Sequence, residues 1–377
     1  MTIRNVVVSA VNLNQGGTLT VAKELLAALD KYSQINVTAL VHKVELFPHY
    51  KNIKLIEFPA IKKSWLKRIF FEYYTSRKIS RELGADIWFC AHDMSANVTA
   101  KKRYVYCHNP SPFYKDLSFS DLINDYKFWL FVHLYRFLYK INIKKNSGIF
   151  VQQQWIAEAF KDFYQVENVI VARPEALHLT ESIKNNRNID DGNLSNGQAF
   201  PPVKIKNQLR VFYPSVPRVF KNFEVLLKTA RFLEASVANV TFAVTFDGTE
   251  NRYARKLYEE YSNLKNVEFL GYLSKVQMEE EYSKCDVICF PSKLETWGLP
   301  ITEAKSLQKP LILADLEYAH ETVGKYDRVC FFSPDDHIEL AELFTSFYGG
   351  KNIFRSVDYT SAALNGWDEL VKYILKG

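Results

Sequence analysis

The chain has 377 residues, 47% of them hydrophobic and 15% aromatic, which suits two packed cores and excludes a fibrous or disordered polymer. Its formal charge of +6 is unevenly spread: residues 1–180 hold 24 Lys and Arg against 15 Asp and Glu, and the rest hold 24 against 27. A basic first half beside a near-neutral second half points to one domain that faces an anionic partner, with nucleic acid, a membrane surface and a phosphorylated acceptor as candidates.

The opening MTIRNVVVSAVNLNQGG is a short apolar strand running into a Gly turn, without the marks of a secretion signal. After it comes a helix from Thr18 to about Leu29. NVTALVH, NIKLIEF, DIWFCA, RYVYCH, GIFVQQ and NVIVA are further short strands, with helices expected at 64–83, 119–144 and 154–164. Segment 180–208 is polar, rich in Asn and poor in large apolar residues, and reads as a linker or loop. LRVFYPS then restarts the alternation, and NVTFAVTF, NVEFLG, DVICF, PLILA and RVCFF continue it. Helices are expected at NFEVLLKTARFLEA, RYARKLYEEYS, about 275–283, 300–308 and 336–347, and SAALNGWDELVKYILK forms a terminal amphipathic helix. The pattern predicts an α/β protein of two Rossmann-like, doubly wound domains, over 1–180 and 209–355, joined by a linker at 181–208 and followed by 356–377.

Cys90, Cys107, Cys285, Cys289 and Cys330 are odd in number and lack metal-ligand spacing, so reduced thiols and a cytoplasmic setting are expected. No apolar run is long enough to cross a bilayer. The nearest, 127–141, is interrupted by Lys127, His133, Arg136 and Lys140.

The segment DVICFPSKLETWGLPITEAKSLQKPLILA carries the most chemistry. A strand ends at Pro291-Ser292, a loop brings Glu295, and Pro300 marks the first turn of a helix, with Glu303 expected inside that first turn. The backbone of Thr296, Trp297, Gly298 and Leu299 then lies at a helix N-terminus, a ready anion site, with Gly298 permitting close approach. Glu303 could accept hydrogen bonds from a ribose diol and Glu295 could reach sugar hydroxyls, although two glutamates there would also simply complement the helix dipole.

ETWGLPITEA resembles the paired-glutamate signature of retaining family-4 glycosyltransferases, and VFYPSVPRVFKNFEVLLKTA resembles that family's other donor-binding stretch. The resemblance implies a GT-B fold, two Rossmann-like domains facing a central cleft, with the terminal helix returning to the first domain. It implies that Lys221, and Arg218 before it, contact the donor diphosphate, although Arg218 stands nearer to the lysine than in the commonest form of the motif. It also implies that Tyr272 and Leu273, after the strand NVEFLG, meet the nucleobase, where an ordinary strand end is equally plausible. TFDGTE matches a Gly-containing turn of the family but lacks its second glycine.

In the first half, Asn14-Gln15-Gly16-Gly17 is no dinucleotide fingerprint; the resemblance places Gly16 and Gly17 near the donor phosphate and acceptor. His108 follows a buried strand in a loop with two prolines, where the family often has a histidine near the donor sugar. His92, Asp93 and Asn109, at neighbouring strand ends, are candidates for acceptor hydroxyls. Segments 61–83 and 127–145 mix aromatic residues with Lys and Arg. They fit core-facing helices with a basic outer side, Trp65, Ile69 and Tyr73 forming one stripe, or docking on an anionic membrane that presents a lipid-linked acceptor. No nucleic-acid module is present.

No Asp-x-Asp pair is placed to hold a cation, since Asp190-Asp191 and Asp335-Asp336 lie in polar turns. The expected enzyme is therefore a cytoplasmic, metal-independent, retaining glycosyltransferase without a cofactor. It would move a sugar from a nucleoside-diphosphate sugar to a saccharide or lipid-linked saccharide acceptor in surface-polysaccharide assembly, such as O-antigen, with peripheral contact at the inner face of the cell membrane as a further expectation. Lys221, Arg218, Glu295 and His108 are its catalytic candidates. A sugar-nucleotide epimerase on the same architecture, or a non-catalytic partner in a polysaccharide-assembly complex, are the alternatives.

Overall fold

The computed structural model describes residues 4–173, 207–236 and 238–376. All but the last two residues of the polar stretch 181–208 lie outside the described residues, as do Asp190 and Asp191. The chain divides into two compact units. Unit 1 is Met1–Lys115, Phe131–Glu175 and Ala362–Gly377, and unit 2 is Asp116–Leu130 and Ala176–Ser361.

Unit 1 is built on β1 (Arg4–Ala10), β2 (Ile35–Val41), β3 (Ile53–Glu57), β4 (Ile87–Cys90), β5 (Lys102–Tyr106), β6 (Gly148–Val151) and β7 (Val169–Arg173). Unit 2 is built on β8 (Leu209–Tyr213), β9 (Val240–Val244), β10 (Val267–Phe269), β11 (Val287–Phe290), β12 (Leu311–Ala314), β13 (Lys325–Phe332) and β14 (Arg355–Asp358). A last short strand, β15 (Leu364–Asn365), returns to unit 1. The sheet orders are β15-β7-β6-β5-β4-β1-β2-β3 and β10-β9-β8-β11-β12-β13-β14. Every pairing is parallel except β13 with β14. Both units are thus doubly wound α/β sheets of Rossmann type.

Strands such as IWFC, GIFV, VICF and LILA are buried at every position because parallel strands carry helices on both faces, so their sequences are continuous apolar runs. Along β1 the side chains alternate between two cores: Val6, Val8 and Ala10 face one, and Val7 with Val11 face the other. The first of these cores includes Trp367, Leu370, Val371 and Ile374 of the terminal helix Trp367–Lys376. Trp367 donates its indole N–H to Glu24 at 2.8 Å and packs on Tyr106, which fixes that helix to unit 1.

Of the two long helices expected from the sequence, one runs through with a π-helical turn inside it and the other is split. The first is Trp65–Phe70, a π-helical turn Phe71–Thr75, then Ser76–Glu82. Ile69 and Tyr73 pack against the core, Trp65 is 41% exposed with edge contacts to Phe131 and Tyr135, and the outward stripe is instead Leu66, Phe70 and Tyr74. The second splits into Phe119–Asn124 and Tyr126–Lys140, because Asp125 takes the capping position between them. Its opening residues belong with unit 2, where the Phe128 ring lies 4.8 Å from that of Phe220. All five cysteines are free and buried, and among the described residues no helix is long and apolar enough to cross a membrane.

Candidate active site

In unit 2 the sequence-selected residues gather at the carboxyl ends of β8, β10 and β11, where open parallel sheets bind ligands. After β8 the chain makes one 3₁₀ turn, Val219–Lys221, and enters the helix Phe223–Glu234 through Asn222 at φ +54°. The Asn222 amide holds this left-handed corner by donating to the carbonyls of Pro334 at 2.7 Å and Pro291 at 3.2 Å. Tyr213 donates its hydroxyl to the Lys221 carbonyl at 2.8 Å. With its backbone so fixed, Lys221 sends Nζ across to an ion pair with Glu295, over the rings of Phe220 and Phe290. Both partners are mostly shielded, with side chains 16% and 12% exposed. Arg218 is more open, and its Nε lies 2.8 Å from Oδ2 of Asp125.

After β11, Ser292 is fully buried, and its carbonyl accepts from the Tyr318 hydroxyl at 2.6 Å. The loop carrying Glu295, Thr296 and Trp297 ends at Gly298, which caps the helix Leu299–Ser306 at φ +77° with Pro300 in its first turn. A Cβ there would be strained by the left-handed backbone and would meet Ile301 at 3.2 Å. Trp297 is held from both ends, donating its indole N–H to Thr302 at 3.1 Å and accepting the Thr322 hydroxyl at its carbonyl.

Glu303 lies in the second turn of that helix, not the first. It accepts a 2.6 Å hydrogen bond from Tyr282, and burial pushes its carboxyl above the ordinary range while that bond pulls it back. With Leu273, Met278, Tyr282, Ser306 and Leu307 it lines a cleft of about 210 Å³. Tyr272, which precedes Leu273 in sequence, does not line the cleft and is 91% exposed. The preceding Gly271 is at φ +66°, where a Cβ would come within 2.9 Å of Asp247. In the Asp247-Gly248 turn, Glu250 folds back to accept both backbone N–H groups at 3.0 and 3.1 Å.

Unit 1 holds the remaining candidates, at the carboxyl ends of β1, β4 and β5. Gly16, at φ +64°, opens the helix Gly16–Asp30 with Gly17 behind it, and a Cβ on Gly16 would meet nothing within 4 Å. Asp93 adopts φ +71°, and its Oδ1 accepts from the His108 N–H at 2.6 Å, the Asn109 N–H at 3.0 Å and the Tyr139 hydroxyl at 2.9 Å. The loop after β5 is therefore hung on one carboxylate oxygen. His108 is buried, with Nε2 3.0 Å from the Ala91 carbonyl and Nδ1 3.3 Å from the Gln152 amide nitrogen. These partners fix the tautomer with the proton on Nε2. Burial lowers its basicity, against the Asp93 charge and the Ala91 bond, so the ring is held neutral. The Asn109 side-chain oxygen accepts from the Ser111 N–H at 3.0 Å, and its Nδ2 is buried without a hydrogen-bond partner among the described residues.

His92 has no exposed surface. Its Nε2 lies 2.9 Å from Ser9 Oγ and 3.2 Å from Glu72 Oε1, deep behind the strand ends. Burial, with the Arg68 charge beside it, pushes the imidazole down to about 3, and burial pushes the Glu72 carboxyl up to about 8 against the pull of Arg68. Arg68 donates to the His92 carbonyl at 2.8 Å and to the Tyr135 hydroxyl at 3.3 Å. The Asn12 amide oxygen, turned toward it, lies 3.2 Å from both its terminal nitrogens.

Lys221 joins Glu295 directly, and Gly298 and Glu303 share the helix behind them. Two members of this site carry no sequence signal for their role. Tyr282 sits in a largely polar helix, Lys275–Lys284, and Asp125, readable as a helix cap before an apolar run, is separated from Arg218 by 93 residues. Among the described residues no group of three or more His, Cys, Asp or Glu is placed to hold a metal ion.

Residues 199–356 match the family model described as Glycosyl transferases group 1. No curated protein sequence matches the chain. Among solved structures, sucrose-phosphate synthase from Thermosynechococcus elongatus superposes with TM-score 0.60 at 14% identity, over 93% of this chain and 92% of that one. WaaG, a glycosyltransferase involved in lipopolysaccharide biosynthesis, gives TM-score 0.60 at 13% identity, over 92% and 90%. Anabaena Alr3699/HepE in complex with UDP-glucose gives 0.56 at 14% identity, over 91% and 89%. Residues 199–356 are therefore a Glycosyl transferases group 1 domain, in a chain whose two α/β units have the GT-B fold.

Proposed function

We propose that this protein is a retaining glycosyltransferase that moves a sugar from a nucleoside-diphosphate sugar to a hydroxyl of a lipid-linked saccharide in surface-polysaccharide biosynthesis, without a metal ion. The observation that carries this reading is the charge arrangement of unit 2. Lys221 and Arg218 lie at a rigid corner after β8, each paired with a carboxylate, and Glu295, the partner of Lys221, belongs to the loop that leads to the helix N-terminus after Gly298. A donor diphosphate can take the place of Glu295 on Lys221, because a phosphate offers the same acceptor chemistry with more charge. The released Glu295 is then available to the sugar hydroxyls. As the bond from anomeric carbon to phosphate oxygen breaks, both cations and the helix N-terminus stabilise the leaving diphosphate. Glu303 and Leu273 line the cleft that suits the nucleoside, and Tyr272 next to Leu273 is free to reach the base.

In unit 1, Asp93 and His108 shape the loop that presents Asn109, whose unsatisfied Nδ2 suits an acceptor hydroxyl. Gly16 leaves room for a substrate to approach the backbone. His108 enters as a neutral group. UDP-glucose bound to Alr3699/HepE, and the role of WaaG in lipopolysaccharide biosynthesis, support the donor class and the setting. The outward stripe Leu66, Phe70 and Tyr74, bordered by exposed Lys63, Lys67 and Arg77, supports contact with an anionic membrane carrying the acceptor.

A thermal-shift screen with UDP, GDP, dTDP and CMP, with and without EDTA, tests the donor site on wild type and Lys221→Ala. Stabilisation is expected from one nucleotide, unchanged by EDTA and lost in the variant. A folded wild type that none of them stabilises would overturn the reading in favour of a non-catalytic partner. Release of a free epimer without acceptor would overturn the transferase assignment.

A further inference from the structure

Asp125 does two things with one carboxylate. Its Oδ1 accepts the N–H of Phe128 at 3.1 Å, which caps the helix Tyr126–Lys140, and its Oδ2 stands 2.8 Å from Nε of Arg218. Nη2 of the same guanidinium donates to Oδ1 at 3.4 Å, while Nε, close as it is, makes no hydrogen bond among the described residues, so the carboxylate sits as an ion pair on the Nε/Nη2 side. Nη1 makes no hydrogen bond among the described residues, and the Arg218 side chain is 38% exposed while that of Asp125 is 12% exposed. The Phe128 ring against Phe220 holds the segment in place one turn further on, next to Lys221. A guanidinium has separate edges, and one can hold a carboxylate while another meets a phosphate.

We infer that Asp125 is a positioning residue for the donor: it pairs with the Nε/Nη2 side of the Arg218 guanidinium and leaves Nη1 for the diphosphate. Arginine loses much rotamer freedom when it binds an anion, and a pair formed beforehand removes that loss from the binding step. The cap makes the anchor stiff, because moving Asp125 would also cost the helix its first hydrogen bond. The inference rests on the donor site proposed above.

Asp125→Asn separates the two duties, since Asn caps a helix as well as Asp but carries no charge. Calorimetry with UDP, GDP and dTDP in turn, and with the parent nucleoside of whichever binds, would compare wild type, Asp125→Asn, Arg218→Ala and the double variant. The expected result is about tenfold weaker diphosphate binding in Asp125→Asn, no further weakening when it is added to Arg218→Ala, and unchanged nucleoside binding. Asp125→Ser, another capping residue, should behave alike and serves if the Asn variant folds poorly. Equal or tighter diphosphate binding in the charge-free variants would overturn the inference and make Asp125 a competitor or a bystander. Weakening that persists without Arg218, or that extends to the nucleoside, would overturn it in favour of a structural effect. If wild type binds none of the diphosphates, the donor-site reading and this inference fall together.

Discussion

The strand ends of the two units are chemically unlike. In unit 1 the polar side chains are committed inward: Asp93 binds three donors, His108 has both ring nitrogens engaged, and His92, Glu72 and Arg68 are buried. In unit 2 the corresponding groups are paired with one another in partly shielded ion pairs, Lys221 with Glu295 and Arg218 with Asp125. The first arrangement spends its polar groups on holding loops still, and the second keeps charges that an anionic ligand can exchange. A charged residue at a strand's carboxyl end is therefore weak ground for a ligand role until its partners are known.

Arg68→Met is the hardest test of that contrast. Arg68 ties the turn after β1, through Asn12, to the turn after β4, through the His92 carbonyl. Its removal leaves buried acceptors without donors, and breaking a buried charged network costs about 3–5 kcal/mol. Chemical denaturation should show a loss of that order, whereas Lys221→Ala, which breaks a single mostly shielded pair rather than a network, should cost less. Similar losses in the two variants would erase the distinction between scaffold and site.

The next test uses pH. Glu72 binds its proton up to about 8 in the folded chain but only to about 4.5 when unfolded, so its burial lowers stability as pH rises between those values. His92 acts in the opposite sense, since it stays neutral in the fold down to about 3 against 6.5 unfolded, and favours the fold as pH rises through that window. Between pH 6.5 and 8 only the Glu72 effect of the pair remains. Glu72→Gln, measured by Tm across that interval, should therefore lose less stability than wild type, by several degrees. Parallel Tm curves would mean that Glu72 is ionised in the fold.

Much of the fold was legible because it is written locally. Parallel strands buried on both faces leave runs such as VICF and LILA, and the helices between them show their apolar spacing within a few turns. Irregularities were harder: nothing in FEYYT announces a π turn, and Asp125, readable as a cap, does not by itself announce that the helix before it has ended. Lys221, Glu295 and Glu303 stood out through their motifs, but their partners did not. Tyr282 and Asp125 reach the site only through strand order, and His92, which follows a strand end like Asp93, turns inward because Ser9 and Glu72 await it there. Pairings between residues about 70 to 90 positions apart are set by tertiary packing, which residue spacing does not encode.

The smallest expected effect concerns the outer face of unit 1. Leu66, Phe70 and Tyr74 are 78%, 61% and 67% exposed, and the Phe70 and Tyr74 rings stack at 5.2 Å. The sequence stripe Trp65, Ile69 and Tyr73 lies one position away, and it packs toward the core. Inserting the outward stripe into the interface of a membrane would bury apolar surface while Lys63, Lys67 and Arg77 meet anionic headgroups. Leu66→Ser with Phe70→Ser should leave nucleotide binding intact and reduce co-sedimentation with phosphatidylglycerol-containing vesicles about tenfold, whereas Trp65→Ser should act mainly on stability. Wild type that ignores such vesicles, or that binds neutral phosphatidylcholine equally well, would sink the membrane contact without touching the donor site. The two units would then differ in how they hold their polar groups and share no surface role.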